Sequence, residues 1–371
     1  MRRVTLTSAI AVALLTTVGS ARQPAGDGPY KVIKTVKVGG EGGSDYIYAE
    51  VAGRRLYIPR GGTRAIPATE TAPATAAVPG RITIFNLDTL APAGEIPDTG
   101  GNGVAVDPRS GHGFSSSAPV SMFDTKTLAV IKKIDVGTAR PDGILFDAFN
   151  DRVYVFSHPT KNAIVIDAKD GTVVGTIDLG GVPEQAVADG KGTLWVVMQD
   201  AQGSVTAVDA KTMKATAHYP FGDIGGCNGL ALDDRNHILF AACAVSGNPP
   251  AVPPKPTMVI LSAVDGTILT TLPLAGGSDG AVFNPSTMEA FSSHGNGTMT
   301  IVKEKSPTSF EVEQNLNTMP GARTLTFDSK TNQILTMSVE RGPAAPPPPG
   351  GGRGAPGPVV PGSFTVLVVG K

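Results

Sequence analysis

The sequence predicts an all-β protein with the architecture of a seven-bladed β-propeller, and three observations support this. First, a strand that ends in an acidic or amide residue recurs about every 40 to 44 residues, with longer gaps at proline-rich inserts. Second, each copy is followed by two more β-like runs, a tight turn and a fourth run. Third, glycine (46) and proline (31) are abundant among 371 residues, whereas aromatic residues make up 5%. That composition is typical of many short strands joined by turns.

The repeat can be followed through seven copies. The first strands end at Glu50, Asp107, Asp147, Asp189, Asp233, Asn284 and Asp328. A large apolar residue follows each of them in the second strand: Tyr57, Phe114, Tyr154, Trp195, Phe240, Phe291 and Leu335. A single four-stranded unit cannot bury both of its faces, so we expect the units to pack against one another around a ring.

The ends of the chain predict how the ring closes. The last unit ends after its third strand, Phe364 to Val369, and the segment Tyr30 to Val38 resembles the fourth strands of the other units. Pairing these two segments completes the seventh blade and removes an exposed sheet edge.

The third unit also carries a resemblance to a known family. Its second strand, Tyr154-Val155-Phe156-Ser157, and its third, Ile164-Val165-Ile166-Asp167, resemble the YVTN-type (YncE-like) seven-bladed propeller repeat. The resemblance covers nearly all of the mature chain, although other blades depart from the tetrapeptide, as at Trp195-Val196-Val197-Met198. It implies the propeller fold but no particular activity, because such propellers serve many roles.

The N-terminus predicts export. Arg2 and Arg3 precede an apolar run from Ala9 to Val18 and then small residues, which is the pattern of a secretory signal peptide. We therefore divide the chain into a signal peptide (1–21), a linker (22–29) and one propeller domain (30–371). The mature protein is expected in the periplasm or outside the cell, with no membrane span.

The charge balance limits the partners. The formal net charge is −1 and 17% of the residues are charged, so there is no basic surplus to hold nucleic acid. The expected partner is a small molecule or a protein of the cell envelope, and the chain is expected to be a monomer.

Three proline-rich inserts, at 61–80, 245–257 and 341–362, interrupt the repeats between second and third strands. In a propeller, these connections lie on the same face as the loops that enter the innermost strands. One interpretation is that the inserts form a rim over the channel mouth. The alternative is that they have no role and are tolerated because a longer loop costs little additional free energy to close.

Polar residues recur five positions before the end of each first strand, where the innermost strands begin. They are Asp45, Asn102, Asp142, Glu184, Asn228, Asp279 and Arg323. Equivalent positions form a ring in a propeller, which predicts a ligand site at the channel mouth. Oxygen donors suit calcium, and the predicted ligand set is Asp142, Glu184, Asn228 and Asp279. The alternative is that these residues only form tight turns, since four of the seven precede glycine.

Two histidines, His158 and His294, close second strands near this face and are included in the predicted ligand site. They belong to separate units, which argues against a shared metal and favours exposed loop positions. The sequence contains no His-x-x-x-His motif or cysteine cluster, so it gives no support for zinc or copper chemistry.

The two cysteines predict a structural disulfide. Cys227 and Cys243 lie on adjacent strands, about equally far from the turn that joins them. Directly opposed residues in an antiparallel pair are within disulfide reach, and an exported protein permits the bond. The alternative is a pair of small buried thiols.

Two classes of function follow. The first is a binding or scaffold protein that uses its loop-decorated face and channel mouth. The second is a metal-assisted, lactonase-like hydrolase that uses the mouth carboxylates, an analogy at the level of the fold. A third option, a component of a quinone-linked dehydrogenase, rests only on general similarity among propellers. No catalytic motif is present, so the sequence identifies no catalytic residue and does not decide whether the protein is an enzyme.

Overall fold

The computed structural model describes residues 27–371, apart from residues 63–64, 66, 69–72, 75, 138–139, 201, 246–254 and 345–356. The predicted signal peptide, most of the predicted linker and parts of all three inserts lie outside the described residues.

The described residues form 28 strands in seven antiparallel sheets of four strands each. Blade 1 contains β2 (Tyr48–Glu50), β3 (Arg55–Arg60), β4 (Arg81–Asn86) and β5 (Pro92–Pro97). Blade 2 contains β6 (Val104–Asp107), β7 (His112–Ser115), β8 (Val120–Asp124) and β9 (Val130–Ile134). Blade 3 contains β10 (Pro141–Asp147), β11 (Arg152–Ser157), β12 (Asn162–Asp167) and β13 (Val173–Asp178). Blade 4 contains β14 (Pro183–Ala188), β15 (Thr193–Met198), β16 (Ser204–Asp209) and β17 (Lys214–Pro220).

The remaining blades follow the same plan. Blade 5 contains β18 (Gly226–Asp233), β19 (Ile238–Val245), β20 (Thr257–Ser262) and β21 (Ile268–Pro273). Blade 6 contains β22 (Ser278–Asn284), β23 (Glu289–His294), β24 (Thr298–Ser306) and β25 (Ser309–Asn317). Blade 7 contains β26 (Leu325–Asp328), β27 (Gln333–Ser338), β28 (Thr365–Gly370) and β1 (Lys31–Lys37). A short 3-10 helix spans Gly222–Ile224, and no helix in the described part of the chain is both long and apolar enough to cross a membrane.

The seven sheets form a closed ring, which confirms the predicted fold. The first strand of each blade contacts the first strands of the two neighbouring blades, including β2 of blade 1 with β26 of blade 7. These strands therefore surround a central channel, and each insert lies between the second and third strands of blade 1, 5 or 7.

The repeating acidic residues have a local role in the turns. The carboxylate of Asp107 accepts a hydrogen bond from the backbone N–H of Arg109 (2.9 Å), and Asp147 accepts one from Phe149 (3.1 Å). Asp233 does the same with Arg235 (3.0 Å). Side chains of this type favour turns because they bond the backbone two residues on, which explains why an acidic or amide residue ends each first strand.

The core is divided among the blade junctions. Buried apolar side chains among the described residues form seven clusters, one between each pair of neighbouring blades. The large apolar residues predicted on the second strands are all buried, from Tyr57 in blade 1 to Leu335 in blade 7. Each blade is thus stabilised mainly by its two neighbours.

The predicted ring closure is also present. Strand β1 pairs antiparallel with β28, so that Lys31 lies opposite Gly370 and Lys37 opposite Thr365. Tyr30 is buried, packs edge-on against Phe291 of blade 6 (5.1 Å between ring centroids) and donates its hydroxyl hydrogen bond to Glu289.

The same glutamate also pairs with Lys371, which follows the third strand of blade 7. Nζ of Lys371 lies 2.9 Å from Oε1 of Glu289, a residue with no solvent exposure. On the opposite side of blade 7, Arg54 of blade 1 makes a two-pronged ion pair with Asp328, at 2.7 and 2.6 Å. Blade 7 is therefore held to both neighbours by charged groups as well as by apolar packing.

The predicted disulfide is confirmed. Cys227 on β18 and Cys243 on β19 are directly paired in the sheet and are bonded to each other. The alternative of two buried free thiols is therefore wrong. The bond joins the first two strands of blade 5 and has a structural role.

Glu289 provides a test of the closure. Glu289→Ala should lower the free energy of unfolding by about 1–3 kcal/mol, because the buried hydroxyl of Tyr30 loses its acceptor. The control is Glu311→Ala in the same blade, which breaks only the exposed pair with Lys305 and should cost less than about 1 kcal/mol. Urea denaturation measures both, and equal losses for the two variants would contradict the role of Glu289.

Candidate functional site at the channel mouth

The seven polar residues predicted at the channel mouth lie at or just before the first strands. Asp142, Glu184, Asn228 and Asp279 are within β10, β14, β18 and β22, and the other three precede β2, β6 and β26. Together with His158, they form two groups that are defined by their contacts. The histidine group consists of Asn102, Asp142, His158 and Glu184. The arginine group consists of Asp45, Asn228, Asp279 and Arg323.

The histidine group lies where blades 2, 3 and 4 meet. Nε2 of His158 is 2.8 Å from Oδ2 of Asp142 and 2.7 Å from Oε2 of Glu184. Nδ2 of Asn102 donates a hydrogen bond to the other oxygen of Asp142, at 2.7 Å. Asp142 (8% exposed) and Glu184 (6% exposed) are buried. Two carboxylates removed from water thus share one imidazole nitrogen.

This arrangement changes the protonation of all three ionisable groups. Hydrogen bonds to Asp142 and Glu184 raise the pKa of His158 to about 10. Burial raises the pKa of Glu184 to about 8, against the opposing effect of His158. Burial also acts to raise the pKa of Asp142, but the contacts with His158 outweigh it and lower that pKa. These shifts favour a protonated His158 and a charged Asp142, and they favour the protonated form of Glu184.

In the arginine group, the side chain of Arg323 balances the charge of the carboxylates. Nη1 of Arg323 lies 2.7 Å from Asp279 and Nη2 lies 3.2 Å from Asp45. Nδ2 of Asn228 donates to the other oxygen of Asp279 at 2.7 Å. Burial raises the pKa of Asp45 to about 6, and Arg323 opposes this shift. A guanidinium supplied by the chain itself thus provides the positive charge in this half of the mouth.

The predicted calcium ligand set is divided between the two groups. Asp142 and Glu184 approach His158 closely enough for the three donor atoms to lie within 4.8 Å of one another, a cluster that does not include Asp279. Asn228 instead donates a hydrogen bond to Asp279, and Asp279 pairs with Arg323. The structure therefore assembles three of the predicted site residues, including His158, around one point.

His294 lies outside both groups. It has no solvent exposure, and its Nε2 is 3.0 Å from the hydroxyl of Thr300 in the next strand of blade 6. The expectation of an exposed loop histidine is wrong here, because His294 is the last residue of β23 and is fully buried. His158, by contrast, is only partly buried and contacts the mouth carboxylates.

Crowding between first strands explains the glycines that follow four of the mouth residues. Gly103, Gly143, Gly229 and Gly280 lack the left-handed backbone that a turn would require. A Cβ atom on Gly229 would lie 2.7 Å from the backbone carbon of Gly280 in the next blade, and one on Gly143 would lie 3.0 Å from the carbonyl oxygen of Glu184. Three of the pairs lie within strands β10, β18 and β22, so their interpretation as turns is wrong, and glycine there allows the close approach of neighbouring blades. Asn102–Gly103 lies outside the strands, just before β6.

Two mouth residues were not predicted from the sequence. The hydroxyl oxygen of Tyr46 is buried and has no hydrogen-bond partner, and burial together with the charge of Glu184 raises its pKa well above the usual value. Gln185 crosses to blades 5 and 6, where it accepts hydrogen bonds from the backbone of Leu230 and Ala281, both at 3.0 Å. Each directly follows a residue of the predicted ring, which is the only sequence signal for them.

Cavities border both groups. A cavity of about 430 Å³ touches the histidine group and is lined by Asn102, Ser116, Ser117, Arg140, Asp142 and His158, among others. A larger cavity of about 990 Å³ touches Arg323 and includes Met319, Met337 and Val339 in its wall. Gly62 and Gly80 border the first cavity, and Arg341 and Val359 border the second. The described ends of two inserts therefore flank the mouth.

Comparison with known proteins extends only to the fold. No protein-family model and no curated protein matches the chain. Among solved structures, hydrazine synthase of Kuenenia stuttgartiensis is similar with a TM-score of 0.65 and 15% identity, over 78% of this chain and 91% of that one. The WD40 repeats of RRP9 give a TM-score of 0.65 at 8% identity, over 87% of this chain and 93% of that one. A chain of the mitotic checkpoint complex gives 0.62 at 10% identity, over 90% and 95%.

The fold is a seven-bladed β-propeller. Similarity at these identities shows the architecture alone and leaves the function to be argued from the mouth residues.

The crowding at the mouth can be tested with a matched pair of glycines. Gly229→Ala should lower the free energy of unfolding by about 1–3 kcal/mol, because the added methyl group meets the backbone of the next blade. In Gly295→Ala the new Cβ atom meets nothing within 4 Å, so the change should stay within about 0.5 kcal/mol. Urea denaturation gives both values, and a neutral Gly229→Ala would contradict close packing at the mouth.

Proposed function

We propose that this propeller is an exported binding protein of the YVTN type that holds a small polar molecule at its channel mouth. The observation that carries the proposal is the convergence of buried polar side chains from several blades beside an open cavity of about 430 Å³. Sites of this kind, concave and with a few precisely placed polar groups, are where small ligands bind.

Several features support the location and class of the protein. The signal-peptide pattern of residues 1–21 and the Cys227–Cys243 disulfide both favour an oxidising compartment, the periplasm or the exterior. The repeat resemblance in blade 3 favours the YVTN type. The inserts that flank the mouth provide additional surface for an envelope protein as a second partner.

The cavity itself indicates the chemistry of the ligand. Asn102, Ser116 and Ser117 offer hydrogen-bond donors and acceptors, and His158 and Asp142 offer charged groups. A molecule with several hydroxyl or carboxyl groups matches this wall, because each buried polar group needs a partner when water is displaced. Its orientation would be fixed by the rigid first strands that carry these residues.

Blocking the cavity tests the proposal. Ala118 is exposed on the cavity wall, and Ala118→Trp should abolish the rise in melting temperature that sugars, hydroxy acids or amino acids give with the wild type by mass action. The control is Ala148→Trp, an exposed position in the turn between β10 and β11 at the opposite face. If the ligands still raise the melting temperature of Ala118→Trp, they bind elsewhere, and the proposal is contradicted.

A second candidate function is hydrolysis, and the histidine group favours it. Asp142 borders the cavity, Glu184 contacts the same nitrogen of His158, and the two carboxyl groups have different proton affinities, which is the arrangement that general acid–base catalysis needs. Simple lactones and aryl esters are suitable probes. Glu184→Gln should abolish turnover whereas Asp279→Asn in the arginine group should retain it, and turnover equal to that of buffer with the wild type would remove this candidate.

A further inference from the structure

We propose that Asp142, His158 and Glu184 bind one divalent first-row transition metal ion at the channel mouth. The inference goes beyond the binding of a small polar molecule and does not depend on it. It assigns three named ligand atoms: Oδ2 of Asp142, Nε2 of His158 and Oε2 of Glu184.

The spacing of these atoms fits coordination. Nε2 of His158 lies 2.8 and 2.7 Å from the two carboxylate oxygens, and the three atoms lie within 4.8 Å of one another. Tetrahedral metal–ligand bonds of about 2.0–2.2 Å place neighbouring ligand atoms about 3.4 Å apart. Small outward movements of the side chains are therefore enough to admit the ion.

Two carboxyl groups in this site depend on one imidazole nitrogen. That nitrogen carries at most one hydrogen, yet the carboxyl groups of two buried residues, Asp142 and Glu184, both face it. Buried carboxylates are costly unless they are paired with charge or coordinate a metal. A doubly charged cation would take the place of the protons shared within the group, which leave to solvent, and would pair with both carboxylates and the imidazole nitrogen at once.

The surroundings of the ligands also match those of metal sites. Asn102 donates a hydrogen bond of 2.7 Å to Oδ1 of Asp142 and so directs the other oxygen towards His158. Such outer contacts orient metal ligands. The adjoining cavity, bordered by Asp142 and His158, leaves room for water or a ligand in the remaining coordination positions, as in metal sites that are not purely structural.

Tyr46 provides an independent observation. Its hydroxyl oxygen is buried without a partner, and Glu184 and Asp142 are the charged groups that act on it most strongly. A buried hydroxyl without a partner costs free energy. Water bound to an ion between these carboxylates would supply the missing partner.

The donor set indicates the class of metal. Calcium prefers six to eight oxygen ligands, whereas an imidazole nitrogen with two carboxylates suits ions such as Zn²⁺, Mn²⁺ and Fe²⁺. The arginine group does not add ligands, because Arg323 already pairs with Asp279 and Asp45. The metal site is thus restricted to one half of the mouth.

Titration of tag-free, chelator-treated protein with Zn²⁺ in a calorimeter tests the proposal. The wild type should bind one ion. His158→Gln, Asp142→Asn and Glu184→Gln should each abolish that binding, and Asn102→Ala should weaken it about 10–100-fold, since it removes only an orienting contact. Co²⁺ should give visible absorption bands with the wild type that are lost in His158→Gln.

Asp279→Asn is the matched control, because it makes the same carboxylate-to-amide change in the arginine group. Its Zn²⁺ affinity should equal that of the wild type, and circular dichroism of every variant should show an intact fold. The proposal is overturned if neither Zn²⁺ nor Co²⁺ binds at millimolar concentration. It is equally overturned if Asp279→Asn weakens binding as much as His158→Gln does. Small-molecule binding in the cavity is measured separately and can succeed or fail independently of this result.

Discussion

The close approach of seven first strands around one axis is the constraint on which the rest of this structure depends. At the mouth, the backbones of neighbouring blades come so near that a single methyl group on Gly229 would meet main-chain atoms of the next blade. Side chains just before these glycines contact the neighbouring blade, as Asn102 does with Asp142 and Asn228 with Asp279. Polar groups from different parts of the sequence are therefore gathered into one small space, and the fold itself creates the need to balance their charges.

The chain balances those charges in two ways. In the arginine group, Arg323 supplies a permanent positive charge to Asp279 and Asp45, so that half is complete without any further ion. In the histidine group, His158 is the group that can carry positive charge beside Asp142 and Glu184, and the metal ion proposed above would take its place. On that proposal, one half of the mouth keeps a fixed charge while the other exchanges protons for metal.

Much of the fold could be predicted because its signals are repeated. Acidic residues that end the first strands stabilise turns by local bonds, so the same residue type recurs in every blade and reveals the period. Once the repeat is aligned, counting residues along it predicts that β1 completes blade 7 and that Cys227 lies opposite Cys243. None of these inferences required knowledge of where a side chain points.

The site was less predictable because it depends on contacts between blades. His158 joins Asp142 through an adjacent strand and Glu184 through a neighbouring blade, a meeting that sequence spacing does not encode. Arg323 pairs with Asp279 and Asp45 and so separates them from Asp142 and Glu184, and His294 is fully buried at the end of β23. The asparagine–glycine and aspartate–glycine pairs looked like turns because the sequence does not show how near another blade lies.

The pairing of β1 with β28 also affects the order in which the protein can fold. Lys31 and Gly370, which face each other in blade 7, are separated by nearly the whole chain, so the loop that must close before they meet is very long. Blades 1 to 6 are each made from one continuous stretch of sequence, and their strands can pair as soon as that stretch is available. Blade 7 must wait for both β1 and β28. During synthesis, the N-terminal strand therefore remains an unpaired, aggregation-prone segment until the last strand arrives.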